Sequence, residues 1–457
     1  MLGGYGKLGA PHTLINALAK SEVKNLTLVC SMAASAEKAS AIQGLLEQKK
    51  VACLYTSNVG ENPVIMEQFK SGQLEVNLEP LGTLVEKARA GGFGVPAFYS
   101  PVGLGTFYDE GGVATKFAKD GKVVLSVNLS KEKRYFRGRE YMLERAHLGD
   151  FAFVKAWKAD TKGNCVLKQT TRNFNPDMAT AGKVCIVEAD EIVEAGKLDG
   201  DDIHIAGIFV HKVVKSVPQP QESYACCEES SCPMGTGETK KLREMMLKRA
   251  AKEIKLGAYV VMGAELSRAV EHYTPKELEV SFVCPETGVI GALSDCYEGK
   301  KEGLGELLNG SLHPMKLRHQ AAIVKASDMF AAIRGKHMNL FILDGYQVSE
   351  QGDLANLEKD NRLLPSPGAN MDLASAETPK IVLMEMTTDG KPNLVKNCTH
   401  RLSGKKCVSK LVTDMGVFEF KADGMTLIEL APGVTVEQVK SKTPCEFKVA
   451  STLGSMC

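Results

Sequence analysis

Two spacings of apolar residues alternate along most of the chain. Short β-rich runs read as buried strands: Leu26–Cys30, Val51–Tyr55, Val123–Val127, Cys185–Ala189 and Ile205–Val210. Between the early ones, Pro11 opens a helix, since a proline at the first helical position gives up no N–H that the helix needs. Ala39–Lys50 carries apolar residues at helical spacing. Later in the chain a helix is predicted over Lys241–Leu256. Strands are predicted at Tyr259–Met262, Leu278–Val283, Asn339–Leu343, Ile381–Met386 and Thr426–Leu430. Strand, helix, strand in both halves predicts the α/β class: two open, largely parallel α/β domains. In such sheets ligands sit at the carboxyl ends of strands, where Gly-rich loops leave.

One segment breaks the alternation. Pro218–Thr239 holds three Pro and four Glu, no Lys or Arg, and no periodicity, so it reads as an exposed linker. It divides the chain into domains 1–217 and 240–457, with 218–239 between them. Cys226, Cys227 and Cys232 cluster there without the second pair of ligands a structural zinc site needs, and read as exposed thiols.

The 457 residues carry 56 Lys+Arg against 55 Asp+Glu, a net charge of +1. That balance argues against a nucleic-acid reader built on a uniform basic field. No apolar run approaches the ~18–20 residues of a membrane span. An odd set of 13 scattered Cys suits reduced thiols rather than a disulfide framework.

Gly4-Tyr5-Gly6-Lys7-Leu8-Gly9 has the form G-x-G-x-x-G, but no strand precedes it and no acidic residue follows on a second strand. An anion-binding turn at the helix start, or a tight structural turn, fits better; the residues leave both open. Glu286 stands apart. It follows an apolar strand, in the Pro/Gly-flanked stretch Cys284-Pro285-Glu286-Thr287-Gly288, where an α/β domain places a reactive group, although the residues alone suit a solvated turn Glu as well.

Ordered matches along nearly the whole chain give it a resemblance to the succinyl-CoA:3-ketoacid CoA-transferases, class I CoA-transferases with their A and B subunits fused. Gly3-Gly4-Tyr5 and Gly9-Ala10-Pro11 resemble that family's G-G-F-x-x-x-G-x-P. Glu286-Thr287-Gly288-Val289-Ile290-Gly291 is similar to its active-site signature S-E-N-G followed by two apolar residues and Gly. Val59–Asn62, Ser71–Val76, Gly94–Tyr99, Ile333–Gly335, Gln347–Ser349, Gly352–Asn356, Met371–Leu373 and Leu402–Val408 also match.

The resemblance implies Glu286 as a carboxylate nucleophile that attacks an acyl-CoA thioester and then carries CoA as a glutamyl-CoA thioester. It implies Gly3, Gly4, Gly368 and Ala369 as the loops that hold the oxyanion and CoA. Acyl-CoA and a carboxylic acid such as acetoacetate are the implied substrates, with neither metal nor redox cofactor. It further implies a homodimer in the mitochondrial matrix. The chain starts inside the family's G-G-F motif, so the missing presequence carries little weight.

Several positions depart from the family. Pro285 and Thr287 flank the nucleophile in place of Ser and Asn, and P-Q-G-T becomes Pro80-Leu81-Gly82-Thr83. The loop G-x-G-G-A-M-D becomes Ser366-Pro367-Gly368-Ala369-Asn370-Met371-Asp372, and G-I-G-I-P becomes Met262–Leu266. A hydroxyl-rich substrate loop becomes Gln320–Lys325. Losing one oxyanion donor costs ~10²–10³-fold in rate, and Gly to Ala threatens any position with positive φ. The departures raise the alternative of a catalytically impaired paralogue with a structural role.

Overall fold

The computed structural model describes residues 1–34, 40–119, 121–218, 224–225, 234–294, 302–303, 307–358 and 363–456. The linker cysteines Cys226, Cys227 and Cys232 lie outside the described residues.

In the first half, Leu26–Val29, Val51–Thr56 and Glu75–Leu78 form a parallel three-stranded sheet. The long strands Gly149–Asp160 and Gly182–Val193 pair in parallel, with Lys212–Lys215 added in parallel at one side. Residues Met1–Gly3 run between the two sets. The Leu2 N–H donates to Val29 O at 2.9 Å, and the Gly3 N–H to Phe153 O at 2.8 Å. Three residues thus stitch two parallel sheets together. The helices His12–Lys20, Pro63–Lys70 and Leu81–Gly92 belong to the same half. Asn62, within one of the matched stretches, caps Pro63–Lys70 by accepting from the Val64 and Ile65 amides, with Pro63 at the position where no N–H is needed.

The second half is built on a ten-stranded sheet. Its centre is parallel: Ser281–Cys284, Tyr259–Met262, Leu340–Asp344, Lys380–Leu383 and Lys410–Val412, in that spatial order. On one side Val289–Ser294 and Met315–Ile323 are added antiparallel; on the other, Gly416–Lys421 and Gly424–Leu430 are, with Lys448–Ser455 parallel at the edge as the tenth strand. The largely parallel architecture expected from the sequence holds in the centre, and hairpins extend both edges.

The two halves share one hydrophobic core. Leu81, Leu84, Val85 and Ala88 of the helix Leu81–Gly92 pack in one cluster with Phe330 and Ile333 of the helix Ala326–Arg334. Fully burying a side chain such as Phe330 or Ile333 is worth about 1.5–3 kcal/mol. Beside this contact Arg334 pairs with Glu86 at 2.9 Å, and Ser327 donates to the buried Asp177 at 2.9 Å.

Two predicted buried strands are corrected. Val124–Val127 does form a strand, but it pairs only with Ala114–Phe117 in an exposed hairpin, with Leu125 60% accessible. Ile205–Val210 is not a strand: Gly207–Phe209 makes a turn of 3₁₀ helix and Ile208 faces solvent. Both are apolar runs that stay on the surface, a case local composition cannot separate from a buried strand. The helix predicted over Ala39–Lys50 is short, Gln43–Glu47, and that predicted over Lys241–Leu256 runs Gly237–Ala251. The strand predicted at Leu278–Val283 is Ser281–Cys284, because Lys276–Leu278 is still helical and Glu279 takes a φ of 48°.

Candidate active site

A cleft of about 640 Å³ opens at the carboxyl ends of the central strands, lined by both halves. From the first come Tyr5, Met32, Asn58, Gly60 and Glu61; the second supplies most of the rest, Glu286 among them.

Glu286 sits in a four-residue reversal, Pro285–Gly288, between the antiparallel strands ending at Cys284 and beginning at Val289. The turn requires glycine at its end. Gly288 has a φ of +73°, and a Cβ there would stand 1.9 Å from Val324 O. The Val324 N–H donates back to Gly288 O at 2.9 Å, so the turn is tied to the end of the strand Met315–Ile323.

Around the carboxylate the donors form a chain. The Cys284 thiol donates to Glu286 Oε2 at 3.4 Å. Cys284 Sγ in turn accepts from the Gly310 N–H at 3.0 Å and the Thr287 hydroxyl at 3.3 Å. Tyr5, from the first half, donates its hydroxyl to Gly310 O at 3.0 Å. Gly310 lies so close that a Cβ on it would be 2.6 Å from Glu286 Oε2.

Burial holds the Glu286 carboxyl above the usual carboxylate range, while its own amide, the Cys284 thiol and Arg268 pull it back down. Burial also pushes the Cys284 thiol up to about 12, helped by the neighbouring Glu286 charge. Cys284 therefore stays a donor, and Glu286 is a desolvated carboxylate of raised basicity, properties that favour a nucleophile.

Gly368 and Ala369 line the same cleft. Their loop is pinned by the first half: Gly368 O accepts from the Leu81 N–H at 2.9 Å and the Ser57 hydroxyl at 3.3 Å. The Ala369 N–H finds no acceptor among the described residues. Gly3 and Gly4 are placed elsewhere, beside a small void under Met32. A Cβ on Gly3 would strike Asn175 Oδ1 at 2.0 Å, and Gly4 has a φ of +94° with its carbonyl accepting from Ser31. Glu286, Gly368 and Ala369 are brought together; Gly3 and Gly4 shape the turn behind them. The start of the helix His12–Lys20 already faces an anion, since the Thr13 and Leu14 amides donate to Glu188 Oε2 at 2.7 and 3.2 Å. The Gly-rich turn is therefore structural. Among the described residues no group of three His, Cys, Asp or Glu is placed to hold a metal ion.

The family model of the coenzyme A transferases matches residues 1–216 and 243–442. The chain belongs to the CoA-transferase family. It is 36% identical over 460 residues to the mitochondrial succinyl-CoA:3-ketoacid coenzyme A transferase 2A of Mus musculus, an alignment covering 100% of this chain and 87% of the relative. It is 45% identical over 217 residues to the A subunit of a probable succinyl-CoA:3-ketoacid coenzyme A transferase from Bacillus subtilis, covering 48% of this chain and 82% of that protein. An acyl-CoA transferase from Escherichia coli O157:H7, solved as a thioester complex with CoA, superposes with a TM-score of 0.74 at 20% identity, over 99% of this chain and 90% of the other.

Within the CoA-transferase family's motifs, the departures prove local. Ala369 has a φ of −81° in the right-handed helical region, so its Cβ causes no backbone strain, and the positive φ of +49° falls on the retained Gly368. Leu81 is buried in the shared core, and the following amide, that of Gly82, donates to Asp372 Oδ2 at 2.9 Å. The turn Met262–Leu266 is anchored on the strand Leu340–Asp344. Asp344 accepts from the Glu265 N–H at 3.0 Å and from the Ser267 N–H at 2.8 Å. Three cleft residues escaped the sequence reading: Tyr5 in its role at Gly310, Cys284 and Arg268. Cys284 could have been found as the residue two before Glu286 on the hairpin. Nothing in the sequence around Arg268 or Gly310 places either near Glu286.

Proposed function

We propose that the protein moves CoA from succinyl-CoA to a 3-oxoacid such as acetoacetate through Glu286. The observation that carries this reading is the desolvated Glu286 carboxylate at the hairpin tip, in a cleft that both halves line. The Glu286 oxygen attacks the thioester carbonyl carbon, and the C–S bond breaks to give an acyl-glutamyl anhydride and CoA thiolate. The thiolate then attacks the Glu286 carbonyl and releases the donor acid, leaving a glutamyl-CoA thioester. The acceptor carboxylate takes CoA by the reverse steps. The Ala369 N–H is the backbone donor offered to the oxyanion of each addition. No step calls on a metal or a redox cofactor.

In this reading residues 1–217 and 240–457 correspond to fused A-type and B-type subunits, with 218–239 as a tether; the match of the first half to a free-standing A subunit supports it. A homodimer in the mitochondrial matrix is part of the same proposal. The relatives named mitochondrial support the compartment.

Incubation with succinyl-CoA followed by borohydride reduction tests the reading. A reduced adduct at Glu286, absent from Glu286→Ala, is expected along with transfer to acetoacetate. Turnover undiminished in Glu286→Ala would overturn it.

A further inference from the structure

Among the described residues lining the cleft, Arg268 is the only cation, set among the acids Glu61, Glu265, Glu271, Glu286 and Asp344. It lies on the 3₁₀ helix Leu266–Tyr273, just after the turn at Met262–Leu266. Its guanidinium is held by neutral groups. Nη1 donates to His313 Nδ1 at 2.8 Å, and Nη2 donates to Ala264 O at 2.6 Å and to the Ser311 hydroxyl. Burial and Arg268 itself lower the His313 imidazole to about 4, so it is neutral and accepts through Nδ1.

No carboxylate takes part in these hydrogen bonds. Of the five N–H donors of a guanidinium, these bonds use three, leaving Nε–H and one hydrogen of Nη1 for a ligand. Arg268 is half-buried, and a rigid fork whose hydrogen bonds go only to neutral groups keeps its charge for an anion brought by substrate. The charge is felt at the nucleophile, where Arg268 helps to stabilise ionised Glu286. The strands beneath supply an apolar floor of Phe282, Val289, Ala292 and Met315, suited to a short methylene chain.

We propose that Arg268 is a specificity-determining residue that holds the free carboxylate of a dicarboxylyl-CoA donor while Glu286 attacks the thioester at its other end. The assignment rests on the catalytic reading above and adds to it which substrate end meets which residue. Among the described residues lining the cleft, Arg268 offers an anionic tail its one cationic partner. A 3-oxoacyl-CoA has no such tail and makes no demand on the guanidinium.

The test separates the two donors in the full-length protein. Thioester formation at Glu286 is followed in single turnovers with succinyl-CoA and with acetoacetyl-CoA, in wild type, Arg268→Met and Arg268→Lys. Arg268→Met is expected to lower kcat/KM for succinyl-CoA by about 10- to 100-fold, the range for losing a charge-assisted hydrogen bond. The acetoacetyl-CoA value should fall by clearly less, losing only the help Arg268 gives to ionised Glu286, and Arg268→Lys should recover part of both losses by restoring charge. Equal losses for both donors would assign Arg268 to CoA or to the oxyanion and overturn the proposal, as would no loss for either. Calorimetric titration with succinate gives a readout independent of turnover. Binding weakened in Arg268→Met supports the assignment even if wild type forms no thioester, a result that would sink only the catalytic reading; unchanged binding overturns it. Thermal midpoints of both variants report whether they fold.

Discussion

The Cys284 thiol donates to Glu286 Oε2 across 3.4 Å, and its sulfur accepts from the Gly310 amide at 3.0 Å. The S–H bond favours the ionised carboxylate and works against burial, which favours the neutral acid. Cys284→Ala should therefore raise the Glu286 pKa and move the acid limb of thioester formation to higher pH, by up to about one unit. Cys284→Ser, whose hydroxyl is the stronger donor, should move it the other way. The pH dependence of single-turnover thioester formation reads both shifts; shifts of the same sign in both variants would refute the role assigned to the thiol.

Gly310 gives a sharper test of geometry. A methyl group there would overlap Glu286 Oε2, at 2.6 Å from Cβ, so Gly310→Ala should swing the carboxylate out of place. A displacement of about 1 Å can cost roughly 10²-fold in rate. The expected result is a loss of that order in thioester formation with a nearly unchanged thermal midpoint, since the clash is with a side chain at the cleft. Wild-type rates would show that the carboxylate has room to react from elsewhere.

Asp372 links stability to pH. Burial raises its carboxyl to about 7, against the Gly82 amide and Arg334, which lower it. A folded-state pKa above the unfolded one makes the proton stabilising: the contribution is complete below about 4 and is lost as pH rises through about 7. Asp372→Asn keeps an acceptor for the Gly82 N–H and removes the ionisation. The variant should show a flatter stability profile between these limits and be more stable than wild type at pH 8, by at most about 4 kcal/mol. Denaturant midpoints at pH 5 and pH 8 measure the difference.

At Ala369 the expectation is near silence. The residue caps the helix Asn370–Ser375 with a φ of −81°, which alanine adopts freely. Restoring the family's glycine by Ala369→Gly should change the rate by less than about twofold and stability by about 1 kcal/mol or less. Steady-state transfer assays and melting curves decide it; a large gain in rate would mean that the Cβ itself obstructs the oxyanion.

Glu286 was legible because a strand, a Pro/Gly-flanked reversal and a carboxylate lie within a few residues, and the resemblance of Glu286–Gly291 to a family signature set it apart from a solvated turn Glu. The parallel sheet centres were legible for the same reason, as β-branched runs such as Tyr259–Met262, whose structural bounds match the expectation. What was hidden is set by distance along the chain. Tyr5 meets Gly310 across a separation of 305 residues, and Arg268 meets Ser311 across 43. The exposed Val124–Val127 hairpin misled because an apolar run says nothing about whether another layer covers it. Leu81 and Ala369 looked like erosion of the site. In the fold Leu81 is a core residue, and Ala369 occupies backbone that did not need glycine.

The Tyr5–Gly310 hydrogen bond makes reactivity conditional on completeness. The clasp on the Gly310 turn beside Glu286 comes from the other half, as do the Ser57 and Leu81 contacts that fix the Gly368 loop. A detached second half would carry the acid without its setting, and would stay inert towards thioesters until its companion docked. Two fragments, each silent alone, should regain activity when mixed. Activity of either fragment alone would show that these cross-half contacts are not needed.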